Sequence, residues 1–161
     1  MIFPKSATVI AVSDGDTLEI SPICPPDPPN PSFPSCPSSF TLRLLGVNAP
    51  DRGDPGWEES RTALASLVGN KQIWLEYDRY QDDKFGRILA WVWIACETEP
   101  IFTPADYMKL SGNQSKPEIA ENPEGCKQGK LIQEEMIKSG SAKPVIYSDR
   151  GKLKYQSRLK M

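Results

Sequence analysis

Apolar residues fall along this chain in short runs with β-like alternation, interrupted by two stretches at helical spacing. Ala7 to Val12 (ATVIAV) is β-branched and apolar and stops at Asp14-Gly15, a strong turn signal. Thr17 to Ile20 (TLEI) alternates and resumes the strand direction, and Phe40 to Val47 (FTLRLLGV) is a third strand ended by Asn48-Ala49-Pro50. Trp57 to Val68 predicts a helix: Ala63, Leu64, Leu67 and Val68 recur at helical spacing, and Gly69-Asn70 stops it. Lys71 to Asp78 and Arg87 to Ala95 predict two further strands, the second apolar on both faces, with Asp82 to Gly86 as the turn between them. Leu131 to Ser139 is a short amphipathic helix capped by Gly140, Val145 to Tyr147 a last short strand, and Gly151 to Met161 the start of a third helix.

Three strands, a helix, two strands and a helix make an α+β, mainly β, chain. That order fits a five-stranded Greek-key barrel of the OB type with two or three helices. By alternation Arg43 is expected to share a face with Leu45 and Val47 and to oppose Leu42 and Leu44.

Proline changes this picture. The chain has 16 in 161 residues, about twice average usage. Eight lie between Pro22 and Pro37, so Ser21 to Ser39 reads as a loop of polyproline character. A second irregular stretch runs from Glu97 to Gly129. Both look like insertions, at about 21–39 and 97–129, into one domain spanning 1–161.

Charge and composition remove whole classes of chemistry. Histidine is absent, which excludes Ser-His-Asp and Cys-His catalysis and histidine zinc sites. The formal net charge is −2, so no basic coat for nucleic acid is present, although one local basic cleft is compatible with it. No apolar run reaches the roughly 18 residues of a membrane helix. The start, Met1-Ile2-Phe3-Pro4-Lys5, does not read as a signal peptide.

Three segments carry a more specific signal: Asp14-Gly15-Asp16-Thr17, Leu42 to Asp51 (LRLLGVNAPD) and Asp83-Lys84-Phe85-Gly86-Arg87. In this order they resemble the pattern DGDT, RLxGxDxPE, DxYGR of the staphylococcal nuclease (thermonuclease) family. The resemblance spans about Thr8 to Tyr147 outside the insertions. It implies an OB barrel and calcium-dependent hydrolysis of phosphodiester bonds in DNA and/or RNA, with low sequence specificity. Such chemistry needs fixed positive charge around the phosphate and an aimed water.

By resemblance, Asp16, Asn48 and the Ala49 carbonyl hold Ca2+, Asp51 positions the attacking water, and Arg43 and Arg87 grip the scissile phosphate. Lys84 and Tyr147 are the further substrate-binding positions. Two residues depart from the family pattern. Asn48 replaces a metal-binding Asp, which removes a formal charge and lowers calcium affinity by roughly one to two orders of magnitude. Asp51 replaces a Glu and is shorter by about 1.5 Å, and misplacement near 1 Å costs on the order of 100-fold. Phe85 stands where the family usually has Tyr. These departures keep a second reading open: a weak or inactive nuclease-like domain that binds nucleic acid or protein. Trp91 and Trp93 read as barrel core rather than base-stacking residues. The family usually continues with a longer last helix, so the end of this chain is expected to cost stability.

Cys24 and Cys36 bracket the first insertion, Cys96 and Cys126 the second. Each insertion leaves and re-enters an antiparallel barrel through neighbouring elements, which predicts the disulfides Cys24–Cys36 and Cys96–Cys126 out of three pairings. Each would contribute about 3 kcal/mol. A four-cysteine zinc site and free buried thiols are the competing readings. Disulfides imply a secreted or periplasmic location, against the unrecognised signal peptide, which leaves a cytoplasmic one open. A monomer acting on nucleic acid, away from membranes, is the expectation.

Overall fold

The computed structural model describes residues 5–23, 39–69, 71–78, 87–102, 120–145 and 153–159. Strand β1 (Ser6–Asp14) turns through Gly15 and Asp16 into β2 (Thr17–Ile23), and the two pair antiparallel over their whole length. Register slips at Ile10 and Ser13 bend β1, so that it also pairs antiparallel with β5 (Gln72–Glu76). Strand β3 (Phe40–Leu44) lies antiparallel to β2, and β6 (Ile88–Ile94) antiparallel to β5. The barrel closes where β3 meets β6 in parallel, Arg43 opposite Leu89. The result is a closed five-stranded mixed barrel of the OB type, with β1, β2, β3, β6 and β5 in order around it. One parallel seam replaces the all-antiparallel pairing that the strand pattern suggests.

Every residue of β6 is buried, so its apolar character on both faces is a consequence of packing on both faces. One edge of β6 pairs with β5. The other pairs with β3 over Ile88 to Ala90 and with β7 (Lys130–Leu131) at Trp93 and Ile94. Between those partners the buried Gln133 amide takes the place of a strand: its Oε1 accepts from Val92 N at 3.2 Å and its Nε2 donates to Ala90 O at 2.9 Å.

Helix α1 (Trp57–Val68) buries Ser60, Leu64 and Val68, one stripe at i, i+4 and i+8, against β1. Helix α2 (Ile132–Lys138) buries Ile132, Gln133, Met136 and Ile137 against β6. Gly140, at φ 73°, ends it in the left-handed region and lets Ser141 N reach back to Met136 O.

Several boundaries differ from the sequence expectation. Strand β2 continues through 21–23, so the first insertion starts later than Ser21. The third strand ends at Leu44, because Leu45 and Gly46 (φ 83°) form a turn before β4 (Val47–Asn48). That turn breaks the alternation, so Arg43 does not share a face with Leu45 and Val47, both of which are buried. Among the described residues the last strand is β8 (Lys143–Pro144), paired with β4; of the expected strand Val145 to Tyr147, residues 146 and 147 lie outside the described residues. Of the second insertion, 97–102 and 120–129 are built around Glu97, which accepts from Lys127 N and Gln128 N, and around Asn122, which donates to the Cys126, Lys127 and Gly129 carbonyls. The disulfide Cys96–Cys126 closes this segment. Cys24 and Cys36 lie outside the described residues.

Within the described residues 153–159 of the expected third helix the structure has a short 3-10 turn, Gln156–Arg158. It is anchored into the barrel: Leu153, Lys154, Tyr155 and Leu159 are buried. Lys154 Nζ and Tyr155 OH donate to Glu76 at 3.0 and 2.8 Å. Trp91 and Trp93 are core residues, as expected, with their indole N–H groups on Asp78 and Glu76.

Candidate functional site

Gly15 sets the geometry at one end of the barrel. A Cβ there would stand 1.7 Å from Ser60 Oγ and 2.9 Å from the Ala49 Cβ. Only glycine allows the β1–β2 turn, α1 and the segment after β4 to approach so closely. That approach places Asp16 beneath the Ala49 amide, which donates to its Oδ2 at 2.8 Å, while Thr17 Oγ1 donates to Oδ1 at 2.9 Å. The Asp16 side chain is 4% exposed, a buried carboxylate whose two oxygens are both engaged.

Arg43 reaches the same point from β3. Its Nη1 donates to the Leu44 and Val47 carbonyls, each at 2.7 Å, which ties the guanidinium to the β3–β4 turn. Its Nη2 lies 3.4 Å from Asp16 Oδ2 and donates to Asn48 Oδ1 at 3.3 Å. Asp16 and the Arg43 to Ala49 segment, well separated in sequence, therefore converge. Arg87 is half-buried immediately before β6, whose Leu89 pairs with Arg43. Strand alternation puts Arg87 on the face of Leu89 and so on that of Arg43. Asp51 is exposed on the loop that follows and makes no hydrogen bond or ion pair with Asp16, Arg43 or Asn48. Lys84 and Tyr147 lie outside the described residues.

Beside this cluster opens a cleft of about 690 Å³, lined by Asn48, Ala49, Asp51, Asp54, Glu59 and the Ser139 to Lys143 segment, among others. Ser60 Oγ donates to Ser141 O at 2.6 Å and holds its two walls together.

Asp16, Asn48 and the Ala49 carbonyl offer a carboxylate, an amide oxygen and a backbone oxygen, all hard donors suited to Ca2+ rather than to a thiophilic ion. Two of them touch one guanidinium nitrogen, so they belong to one site. The set fits calcium in kind, with a single formal negative charge. Among the described residues no three carboxylates or cysteines gather as an alternative metal centre.

Sequence reasoning missed a second basic feature. Trp57, which in the sequence marks only the start of a helix, lies against Arg52 and Arg61, whose guanidinium carbons stand 5.4 and 5.2 Å from its ring centroid. Isolated arginines at 52 and 61 carry no periodic signal, so only the fold could bring them together.

A closed five-stranded barrel carrying a buried carboxylate and a clamped arginine at one end defines an OB-type domain with a polar cluster and a cleft at that end. The family model for staphylococcal nuclease homologues matches residues 41–160, and the chain belongs to that family. It is 33% identical over 96 residues to a thermonuclease of Staphylococcus hyicus, covering 55% of this chain and 48% of that protein. It is 36% identical over 62 residues to a thermonuclease of Staphylococcus intermedius, covering 35% of this chain and 37% of that protein. The chain thus spans about half the length of the first of these relatives and just over a third of the second.

Proposed function

We propose that this chain is one domain, monomeric, and a calcium-dependent nuclease that hydrolyses phosphodiester bonds in DNA and/or RNA with low sequence specificity. The observation that carries the reading is the convergence of Asp16, Arg43, Asn48 and Ala49 at one barrel end. Asp16, Asn48 and the Ala49 carbonyl would hold Ca2+. When bound, such an ion neutralises charge on a phosphate oxygen and lowers the pKa of water. Arg43 and Arg87 supply fixed guanidinium charge for the equatorial phosphate oxygens, where charge rises in the transition state. Arg43 is clamped by two carbonyls, so little reorganisation is left for the reaction to drive. Asp51, exposed at the cleft, is the group that orients and deprotonates the attacking water. Lys84 and Tyr147 complete the substrate contacts in this reading.

Calcium titration of plasmid cleavage, with Arg87→Ala as the inactive comparison, tests it. Cleavage that rises with calcium and is lost in the variant is the expected result. A second reading rests on Asn48 and Asp51: a nuclease-like domain that binds nucleic acid or protein without cutting. No cleavage at millimolar calcium by a folded protein would select that one. The Cys96–Cys126 disulfide favours an oxidising, secreted or periplasmic compartment. No helix of the described residues is long and apolar enough to cross a membrane.

A further inference from the structure

On the far side of the Asp51 to Gly56 loop from the 690 Å³ cleft lies a second one, of about 560 Å³, lined by Val12, Ser13, Asp14, Arg52, Trp57 and Arg61. Its chemistry is unusual for a protein with net charge −2. Two guanidinium groups flank one indole, and neither makes an ion pair among the described residues. The Arg61 Nε is buried without a hydrogen-bond partner, which leaves the outer guanidinium nitrogens as the part of this side chain that can meet a ligand. Among the described residues the one carboxylate in the lining is Asp14, and its Oδ1 is taken by the Trp57 indole N–H at 2.6 Å. That bond fixes the ring on which both arginines rest.

Rigidity comes from the loop itself. Asp54 N donates to Asp51 O at 2.9 Å, Trp57 N to Asp54 O at 3.2 Å, and Ser60 N to Gly56 O at 3.0 Å, a run of turns that leads straight into α1. Gly53 and Gly56, both at positive φ, permit those turns. Arg52 follows Asp51 directly, so their Cα atoms are about 3.8 Å apart, and Asp14 precedes Asp16 by two positions. The second cleft therefore adjoins the candidate catalytic end of the barrel.

We propose that Arg52, Arg61 and Trp57 form a phosphate-binding subsite for the polynucleotide strand, engaging a backbone phosphate beyond the one held by Arg43 and Arg87. A phosphodiester is the ligand that this chemistry selects. Paired guanidinium forks match two phosphate oxygens, and the indole on which both rest holds them side by side. The proposal rests on the nuclease reading for the identity of the strand, but it concerns binding and can be tested without turnover.

The test is binding of a fluorescein-labelled single-stranded oligonucleotide, followed by polarisation in EDTA across a salt series. Arg52→Gln/Arg61→Gln is compared with the unaltered chain and with Lys71→Gln/Lys130→Gln, which removes equal charge from exposed positions elsewhere. Each phosphate contact on a single strand contributes about 0.7 to the slope of log K against log salt. The arginine pair is expected to lower that slope by about 0.7 to 1.4 and to weaken binding about 10-fold or more. The lysine pair should change both far less. Equal effects of the two pairs, or an unchanged slope in the arginine variant, overturn the subsite. Arg52→Gln alone, at an exposed position, gives the same reading at smaller amplitude should the double variant fold poorly. A cleaving enzyme with an unchanged slope rejects the subsite and keeps the nuclease. A non-cleaving protein with a lowered slope does the reverse.

Discussion

The Arg43 guanidinium stands between Asp16 and Asn48, with one nitrogen 3.4 Å from the carboxylate and 3.3 Å from the amide oxygen. A cation is thus already present where a divalent ion would compete for the same oxygens, and one of those oxygens carries no charge. Asn48→Asp restores a second carboxylate. It should tighten calcium binding about 10- to 100-fold, read by calorimetry and by the calcium concentration at half-maximal cleavage. Unchanged affinity would remove Asn48 from the metal shell.

Arg43 also has a structural role separate from any phosphate contact. Its Nη1 satisfies the Leu44 and Val47 carbonyls across the β3–β4 turn. Lysine keeps the charge but cannot serve both carbonyls and the Asp16–Asn48 pair from one ammonium. Arg43→Lys should therefore lose about 1–3 kcal/mol of stability in urea unfolding, besides any loss of cleavage. A variant that is inactive yet fully stable would mean that the turn does not depend on this side chain.

Much of this site was legible because it sits on strand ends that alternation marks out. Asp16 follows a Gly turn, and Arg43 lies in an apolar run beside Leu42 and Leu44. What joins them was not legible. Gly15 reads as a turn former, yet its work is to leave room for Ser60 and Ala49. Alternation failed at Leu45 because Gly46 takes a left-handed conformation and turns the chain there. Gln133, Glu76 and Lys154 have the residue types of a solvated surface, and all three are buried, because each meets a partner far away in sequence. Of Leu153, Tyr155 and Leu159 only the last two fall at i, i+4, too short a pattern to tell a helix from the 3-10 turn that forms there.

Cys96 and Cys126 close a segment with a sequence separation of 30. The loss of chain entropy in the unfolded state predicts about 3–4 kcal/mol of stabilisation. Cys96→Ala/Cys126→Ala should lower the urea midpoint accordingly, with the slope rising as the unfolded chain expands. A midpoint unchanged on reduction would show that the Glu97 and Asn122 hydrogen bonds hold this segment without the bond.

Lys154 and Glu76 form an ion pair at 3.0 Å, with side chains 2% and 1% exposed. Removing one partner leaves a buried charge. Lys154→Met should therefore cost about 3–5 kcal/mol, eased in part by the Trp93 and Tyr155 donors that remain on Glu76. Adding Glu76→Gln to that variant should recover a large part of the loss in a double-mutant cycle. Additive losses would mean that the two charges do not interact.

Glu134 and Arg158 give the acid side of the stability curve a specific origin. Arg158 Nε and Nη2 grip the two Glu134 oxygens at 2.9 and 3.0 Å. Those hydrogen bonds hold the Glu134 carboxyl below the usual range against the opposing effect of burial, and the charges of Arg158 and Lys138 add to them. A carboxyl whose pKa is lower in the folded chain contributes stability above its unfolded value, near 4.3, and loses it as pH falls through the folded one. Arg158→Gln should therefore be destabilised by a margin that is full near neutrality and shrinks below about pH 4. A remainder should persist at every pH, because Arg158 also lies over the Trp93 and Tyr155 rings at 5.5 and 5.6 Å. Urea unfolding at a series of pH values separates the two parts. A margin constant from neutrality to pH 2 would assign the whole effect to the ring contacts and none to the carboxylate.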